Sequence, residues 1–315
     1  MPSALSSSRA ASVVIPTFGR DEVLLETVRR VLALQPPPAE TLVVDQSVDH
    51  APPVAAQLAR LDDAGQIRWI RLPAPSIPAA MNRGLLLARN PIVIFLDDDV
   101  IPCPRLIAAH LEAQEISCIV AGQVLQPGEE AAPLADAPRR PFRFTSSTRG
   151  PIDDLMGGNF SIDRDLAIRI GGFDENFVAA AYRFEAELAA RAGRSGASIL
   201  FEPRASIRHL RAPMGGTRSH GDHLRTAKPG HAVGRYYYLL AVRPPSWVLA
   251  IVTGLLASVR TRHHLRRPWF IPVTLLAELR GLVAALRLHA RGPRLLTVEP
   301  AEGPSPATLG GAASP

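Results

Sequence analysis

Short apolar segments alternate with helical patterns over residues 11–130, and this alternation restricts the possible folds more than any other feature of the chain. The apolar segments are rich in valine and isoleucine and are predicted to be buried strands; they are SVVIP (12–16), TLVVD (41–45), IRWIR (67–71) and IVIFLD (92–97). Apolar residues at helical spacing predict helices at 22–34, 53–62 and 77–89. This order predicts an α/β fold, with a mostly parallel sheet covered by helices on both faces.

Short polar residues and glycines mark where the predicted helices begin and end. The predicted N-caps are Asp21, Ser76 and Asp163, and the predicted terminating glycines are Gly171 and Gly193. Residues 126–150 are rich in proline, glycine and charge, so they are predicted to form a long loop. Further strands are expected near 197–202 and 205–209, and a helix is expected over about 181–192.

Carboxylates follow two of the predicted strands. Asp45 ends the second strand, and Asp97, Asp98 and Asp99 follow the fourth. In parallel α/β sheets, ligands bind beyond the carboxyl ends of the strands. Alternate residues of an extended segment face the same way, so we expect Asp97 and Asp99 to share a face while Asp98 points elsewhere. Two carboxylates on one face suit Mg²⁺ or Mn²⁺; the alternative is a solvated acidic turn.

Composition excludes several classes of protein. Hydrophobic residues make up 47% of the 315 residues and charged residues 20%, so the chain can bury a core. The two cysteines, Cys103 and Cys118, rule out a disulfide scaffold and suit a reducing, cytoplasmic compartment. No uncharged apolar run reaches 18 residues, and the N-terminal segment does not resemble a signal peptide. We therefore expect no ordinary transmembrane helix.

The basic residues are concentrated in the C-terminal third. Residues 204–315 hold 16 basic and 4 acidic residues, whereas residues 1–203 hold 19 and 25. An uncharged apolar stretch at 246–259 is followed by the basic segment RTRHHLRRPWF (260–270) and a second apolar stretch that runs to 288. This pattern predicts amphipathic helices on an anionic membrane surface. The alternatives are packing on the catalytic domain or a dimer contact, and nucleic-acid binding is not expected.

Four motifs together carry a resemblance to a known family: VVIPTFGR (13–20), LVVDQS (42–47), MNRGLLLA (81–88) and IVIFLDDDV (92–100). They resemble the successive motifs of family 2 glycosyltransferases of the GT-A fold. The later segment GGNFSIDRDLAIRIGGFDENF (157–177) is similar to the acceptor-side motif of that family. The resemblance covers about residues 11–210. It implies a Rossmann-like GT-A domain that uses a nucleotide-diphosphate sugar as co-substrate.

The resemblance implies roles for residues on the donor side. Pro16 and Thr17 would line the nucleotide pocket, and Asp45 would accept a hydrogen bond from the base. Asn82 would lie in the helix that flanks the nucleotide. One position departs from the family motif, because Met81 stands where members usually carry arginine.

The resemblance also implies a set of residues around the diphosphate. Asp97 and Asp98 would hold the ribose and the metal-binding turn, and Asp99, with Asp97, would ligate a divalent cation (Mn²⁺ or Mg²⁺). His209 would complete the metal shell. Arg211 and Arg218 would clamp the diphosphate, since arginine suits phosphate oxygens.

The predicted catalytic base is Glu185. Family members usually carry a Glu-Asp pair followed by x-(Asp/Glu)-Leu, and this chain has Phe184-Glu185-Ala186-Glu187-Leu188. Anchoring on Glu187-Leu188 puts Glu185 at the Asp position and Phe184 at the Glu position. A glutamate can perform the same proton transfer; the alternative is an ordinary helix glutamate that pairs with a neighbour. A single base without an evident nucleophile is typical of an inverting transfer.

These observations predict an inverting, metal-dependent hexosyltransferase that acts on a glycan, glycolipid or polysaccharide precursor. Two alternatives stay open: a haloacid-dehalogenase-like phosphohydrolase, suggested by IFLDDDVI, and a relative that binds sugar nucleotides without turnover. The expected organisation is a flexible N-terminus (1–10), a nucleotide-sugar-binding half (11–125), an acceptor-side half (126–242), an amphipathic helical extension (243–295) and a disordered tail (296–315).

Overall fold

The computed structural model describes residues 10–133, 142–216 and 224–297. Its first part holds strands β1 (Ala11–Thr17), β2 (Glu40–Asp45), β3 (Arg68–Arg71), β4 (Ile92–Leu96), β5 (Val100–Pro102) and β6 (Ile119–Leu125). Helices α1 (Glu22–Leu32), α2 (Pro52–Asp63), α3 (Ile77–Leu87) and α4 (Leu106–Gln114) lie between them. The second part holds β7 (Gly150–Ile152), β8 (Asn159–Asp163), α5 (Arg164–Arg169), α6 (Phe184–Arg194), β9 (Ile199–His209) and α7 (Ala232–Val242).

One mixed sheet joins both parts, in the order β3-β2-β1-β4-β8-β6-β9-β5, with β7 paired to β9. Strands β3, β2, β1 and β4 are parallel, and β8 is antiparallel to both of its neighbours. The central strands are buried on both faces; all five residues of β4 are inaccessible to solvent, which explains its uninterrupted apolar sequence. The α/β architecture with a mostly parallel sheet is thus confirmed.

The predicted strands and helices of the first part are present. Across both parts, two predicted details at helix ends are wrong. Ser76 and Asp163 are N-caps, as expected, and accept hydrogen bonds from Ala79 N and Leu166 N. The side chain of Asp21 makes no capping bond to α1; it lies 2.7 Å from Nδ1 of His50 instead. Helix α6 extends past Gly193, and the left-handed glycine after it is Gly196.

The region after β8 departs from the prediction in two further respects. The two strands expected near 197–202 and 205–209 are one strand, β9, with a register shift in its pairing to β6. Residues 232–242 form a helix that the sequence pattern did not predict, α7, which packs against α6. Its tyrosines Tyr236 and Tyr237 are fully buried.

The C-terminal extension contains α8 (Trp247–Val259), α9 (Arg262–Arg266), a short 3₁₀ turn (Pro268–Phe270) and α10 (Ile271–Arg291). Helix α10 packs along α7 through small residues: a Cβ added to Gly281 would lie 2.5 Å from Cβ of Ala232. Across residues 10–133, 142–216 and 224–297, one helical stretch, Pro268–Arg291, is long and apolar enough to cross a membrane by length and composition, with 28% of its most apolar window buried. Core helices of soluble proteins meet the same criterion, so the expectation of no ordinary transmembrane helix stays a prediction.

The chain after α10 returns to the segment that follows α5. Leu296 N donates a 2.8 Å hydrogen bond to Gly171 O, and Glu175 N donates to Arg294 O. The predicted disordered tail (296–315) therefore begins too early, because Leu296 is hydrogen-bonded to Gly171. Of the segments predicted to lack structure, residues 1–9 and 298–315 lie outside the described residues.

Candidate active site

A cleft of about 290 Å³ lies at the carboxyl ends of β1 and β4, where the fold predicts a ligand site. It collects side chains from distant parts of the chain. Among its lining residues are Pro16, Thr17, Arg20, Gln46, Met81, Asp97, Asp98, Asp99, Tyr182, Phe184, Glu185 and His209. The sequence motifs that precede and follow residue 126 thus meet in a single cleft.

Two carboxylates and an imidazole converge in this cleft. Nε2 of His209 lies 3.3 Å from Oδ2 of Asp97 and 3.2 Å from Oδ1 of Asp99. The three ligand atoms all lie within 4.8 Å of one another. The sheet brings them together, because β5 pairs antiparallel with β9 and places Val100, next to Asp99, opposite His209. The expectation that Asp97 and Asp99 share a face is confirmed.

Backbone contacts fix the position of Asp99. Leu210 N donates 2.7 Å to the main-chain oxygen of Asp99, and Ala212 N donates 2.8 Å to its Oδ2. The other carboxylate is confined by Gly158, where an added Cβ would lie 2.2 Å from Oδ2 of Asp97. A side chain at residue 158 would therefore force the Asp97 carboxylate out of its present position.

These residues fit a divalent cation. Two carboxylates and one imidazole, all able to ligate a metal, lie close together. The mutual repulsion of Asp97 and Asp99 favours a bound positive charge. Carboxylate oxygens suit Mg²⁺ and Mn²⁺, while an imidazole nitrogen favours a transition metal over Mg²⁺. Gly158 leaves the space that the Asp97 carboxylate needs to lie beside Asp99 and His209.

Asp98 points away from the cluster, as expected, toward β1 and its following loop. Thr17 Oγ1 donates a 2.6 Å hydrogen bond to Oδ2 of Asp98, and the guanidinium of Arg20 lies 3.5 Å from Oδ1. Arg20 also lies 3.4 Å from Oδ2 of Asp99. Burial raises the pKa of the Asp98 carboxyl to about 7, although Arg20 and Thr17 act in the opposite direction.

Glu185 lies in the first turn of α6 and lines the cleft. Burial raises the pKa of its carboxyl to about 7, and the charges of Asp154 and Asp97 add to this effect. A carboxyl with a pKa near neutrality is suited to general-base catalysis. The cleft thus places a tuned carboxylate beside the candidate metal cluster.

Glu187, two residues further along α6, has a structural environment instead. Its carboxylate forms a bidentate ion pair with Arg191, at 2.7 Å for both contacts, and is almost fully buried. Arg191 in turn donates hydrogen bonds to the main-chain oxygens of Ile170 and Gly172. The arrangement favours Glu185 over Glu187 as the base.

Asp45 and Asn82 lie outside the lining of the cleft. Ser47 N, His50 Nε2 and Trp69 Nε1 all lie within 2.9 Å of the Asp45 carboxylate, which is fully buried. Burial disfavours the ionised form, but these hydrogen bonds outweigh it and lower the pKa of Asp45. A contact between Asp45 and a nucleotide base stays a prediction.

Asn82 joins α3 to the segment after α5. Its amide donates to Phe173 O at 2.8 Å and accepts from Phe173 N at 2.8 Å, and it also donates to Glu175. The side chain is 2% exposed. These contacts give Asn82 a structural role behind Met81, which does line the cleft; the predicted proximity of Asn82 to the nucleotide stays a prediction.

The two arginines predicted to clamp a diphosphate have different outcomes. Arg211 is exposed, has a left-handed backbone (φ 53°) and is not among the residues that line the cleft. Arg218 lies outside the described residues. The segment before it turns back over β1's loop, where Gly216 N donates 2.8 Å to Phe18 O and Arg20 donates to Met214 O.

Sequence reasoning missed three polar side chains of the cleft, those of Arg20, Gln46 and Tyr182. Arg20 ends the motif VVIPTFGR, yet its partners are more than 70 residues away in the chain. Tyr182 is half exposed at the cleft, between Ala181 and Arg183, which both have positive φ. Gln46, next to Asp45, accepts a hydrogen bond from Ser76 N and joins the cleft to α3. The position of Gln46 in the motif LVVDQS was the sequence feature that could have indicated its place in the cleft.

Comparison with known proteins identifies the motifs of this cleft. The family model described as "Glycosyl transferase family 2" matches residues 12–172, about half of the chain. That range includes β1, the three aspartates and the Gly158 region. No curated protein sequence matches the chain.

Two solved structures share the fold at low sequence identity. GalNAc-T7, solved with UDP, GalNAc and Mn²⁺, is 15% identical, with a TM-score of 0.55 over 76% of this chain and 52% of that one. The chain therefore spans about half the length of the GalNAc-T7 chain. The mannosyltransferase PcManGT from Pyrobaculum calidifontis, solved with GDP-Man and Mn²⁺, is 16% identical, with a TM-score of 0.52 over 91% of this chain and 80% of that one. Both likenesses concern the fold.

Proposed function

Because the chain belongs to glycosyl transferase family 2, we propose that it transfers a sugar from a nucleoside-diphosphate donor to an acceptor hydroxyl, with inversion at the anomeric carbon. One observation carries the proposal: Glu185 lines the same cleft as the Asp97, Asp99 and His209 cluster. A group able to accept a proton and a group able to hold a cation thus flank one space large enough for part of a substrate.

In the proposed reaction, Glu185 accepts the proton of the acceptor hydroxyl as its oxygen bonds to the anomeric carbon. The bond between that carbon and the diphosphate breaks, and the nucleoside diphosphate leaves with the bonding electrons. The base must be ionised before transfer, so a pKa near 7 gives Glu185 both a substantial ionised fraction and useful basicity at neutral pH. Inversion follows because a single displacement needs one base and no covalent intermediate.

Asp97, Asp99 and His209 would hold the divalent cation, and the mixed oxygen and nitrogen set favours Mn²⁺ over Mg²⁺. When bound, this cation would neutralise the charge of the leaving diphosphate. Arg20 lies close to the carboxylates of both Asp98 and Asp99 and helps to keep them in place. Both solved neighbours hold Mn²⁺ and a nucleotide or nucleotide sugar, which supports the proposal by analogy.

The proposed acceptor is a glycan or lipid-linked hydroxyl, and the proposed reaction class is hexosyl transfer in the assembly of a glycolipid or polysaccharide. The support is the family membership and the open cleft beside Glu185 and the half-exposed Tyr182. Tyrosine presents an apolar ring face that suits the C–H surface of a sugar. The cytoplasmic location expected from the sequence stays a prediction.

Family membership overturns the phosphohydrolase alternative, and the strand order agrees. The DDD segment follows β4, the fourth strand of the chain, rather than the first strand as in that class of enzyme. A relative that binds without turnover remains an outcome of the test. Glu185 in the cleft argues against it, because a binding protein needs no carboxyl group with a pKa near 7.

The test measures nucleoside diphosphate released from a panel of UDP-, GDP- and dTDP-sugars in Mn²⁺, Mg²⁺ or EDTA, with glycan and lipid-phosphate acceptors. We expect release that needs both a cation and an acceptor, and NMR of the product should show the inverted anomer. Binding of a donor with no release for any acceptor would identify a non-catalytic relative. A retained anomeric configuration would contradict the role of Glu185.

A further inference from the structure

We infer that the C-terminal extension, helices α8 to α10, lies flat in the headgroup region of an anionic lipid bilayer. The inference does not depend on the transfer reaction, since no residue of α8, α9 or α10 lines the cleft. It rests on three features: apolar faces that the protein does not cover, a cluster of arginines beside them, and the position of Arg280 within α10.

Helix α8 leaves an apolar face uncovered. None of its residues is fully buried, although the helix contains no charged side chain. Four large apolar residues of α8 are exposed: Val248, Leu249, Val252 and Leu256. Their spacing places them along one side of the helix. An exposed apolar stripe of this length is uncommon on monomeric soluble proteins and marks an interaction surface.

Helix α10 has two faces. One face, with Thr274, Ala277, Gly281 and Ala285, is buried, and Glu278 on it accepts hydrogen bonds from Tyr236 and Arg235 of α7. The other face exposes Leu276, Leu279, Val283 and Leu286. The first face ties the helix to α7. No described residue covers the large apolar side chains of the second face.

The connection between α8 and α10 carries the positive charge. Arg260, Arg262, Arg266 and Arg267 are all exposed, and among them lie Leu265, 83% exposed, and Trp269, 65% exposed. Between residues 243 and 297 the sequence holds one acidic residue, Glu278, which is buried and paired with Arg235. A surface that combines exposed leucine, tryptophan and arginine without exposed carboxylates is complementary to anionic headgroups over an apolar layer.

The charges of α10 favour a helix that lies in the interface over one that crosses the bilayer. Arg280 is exposed and lies near the middle of Pro268–Arg291, and Arg287 is exposed about two turns further along the same face. An arginine at the centre of a bilayer is costly. A crossing helix would also have to give up the buried contacts of Glu278 and Gly281 with α7.

The test uses the full chain and sedimentation with vesicles of phosphatidylcholine alone or with 30% phosphatidylglycerol. We expect binding to the anionic vesicles, little binding to the neutral ones, and loss of binding as salt is raised. R266Q/R267Q should bind about 30-fold more weakly, because each arginine near an anionic surface is worth about fivefold. L265S/W269S should weaken binding to the same vesicles through loss of apolar contact.

Matched controls carry the same kinds of substitution on exposed residues that precede β9 in the chain. R60Q/R194Q removes two exposed arginines from α2 and α6, and L86S/I116S removes two exposed apolar side chains. These controls should bind vesicles like the parent chain, and circular dichroism and melting temperature of every variant should establish that it is folded.

Several outcomes would overturn the inference. They are no binding to anionic vesicles at low salt, equal losses in test and control variants, and binding that only detergent reverses, which would indicate a crossing helix. Analytical ultracentrifugation gives another: a concentration-dependent dimer abolished by L265S/W269S, without vesicle binding, would assign the surface to a second copy of the chain.

Discussion

The guanidinium of Arg20 lies 3.5 Å from Oδ1 of Asp98, and both side chains are almost completely buried. This pair adjoins the candidate metal cluster, because Arg20 also lies 3.4 Å from Oδ2 of Asp99. Three consecutive carboxylates repel one another, and burial adds to the cost. The buried guanidinium of Arg20, in the loop after β1, therefore stabilises the acidic turn formed by Asp97, Asp98 and Asp99.

Removal of the Arg20 charge should destabilise the fold. R20Q leaves Asp98 and Asp99 buried without their positive partner, so the free energy of unfolding should fall by about 3–5 kcal/mol. Urea titration of the purified chain measures it. The matched variant is R30Q, which breaks the half-exposed pair of Arg30 with Glu26 and should cost about 0.3–0.5 kcal/mol. Equal losses for the two variants would show that Arg20 does not offset the acidic turn.

Two neighbouring glutamates of α6 should respond oppositely to the same substitution. E185Q should lower turnover by about 100-fold or more with little change in donor affinity, because the amide cannot accept a proton. E187Q should leave the turnover of the folded chain near that of the parent while lowering its melting temperature, since it breaks the buried pair with Arg191. Single-turnover kinetics and calorimetry separate the two effects. An inactive but stable E187Q would mean that Glu187 is the base.

The raised pKa of Glu185 predicts the direction of the pH dependence. The base works when ionised, so kcat/KM should rise about tenfold per pH unit below pH 7 and level off above it. Stability should follow the opposite trend. The folded state binds the Glu185 proton more tightly than the unfolded state, whose pKa is near the ordinary 4.5, so this residue costs stability increasingly as the pH rises from 4.5 to 7.

E185Q provides the check on both trends. The variant carries no titrating group at 185, so its melting temperature should exceed that of the parent at pH 8 and approach it at pH 4.5. Any residual activity of E185Q should not show the rise in kcat/KM as the pH approaches 7. A parent profile that is flat between pH 5 and 8 would remove the case for Glu185 as a base tuned by burial.

A methyl group at residue 158 should disturb the metal cluster. In G158A the added Cβ would lie 2.2 Å from Oδ2 of Asp97, so the carboxylate has to move, and Mn²⁺ affinity should fall about tenfold or more. G193A is the control, because its added Cβ would meet nothing within 4 Å beyond the nearby backbone of α6 itself; it should stabilise the chain by about 0.4–1 kcal/mol. Mn²⁺ titration by calorimetry distinguishes them. Unchanged affinity in G158A would show that metal binding does not depend on the present position of the Asp97 carboxylate.

The sequence predicted the parts of the fold that depend on local pattern. The strands β1 to β4 and the caps Ser76 and Asp163 follow from apolar runs and short polar residues. The capping bond predicted for Asp21 is absent because its side chain interacts with the distant His50 instead of with the backbone of α1. Helix α7 was not predicted, since it is apolar on nearly all sides and gives no amphipathic period.

Long-range contacts explain what the sequence left open at the site. The spacing of Asp97 and Asp99 predicts their common face, but the 3.2 Å approach of His209 depends on the pairing of β5 with β9, more than 100 residues apart. Arg20 belongs to a recognised motif, yet nothing in that motif reveals its pairing with Asp98. Pairing across the sheet is a tertiary property, which local periodicity does not encode.

Mn²⁺ binding to the parent chain and to D99A, measured by electron paramagnetic resonance with a nucleoside diphosphate present, tests the central claim most directly. We predict one site per parent chain and an affinity for D99A more than about 100-fold lower, since even outer partners of a metal site are worth about 10–100-fold. D63A, which removes an exposed carboxylate at the end of α2, should bind like the parent. A D99A chain that binds Mn²⁺ as tightly as the parent would contradict the metal site formed by Asp97, Asp99 and His209.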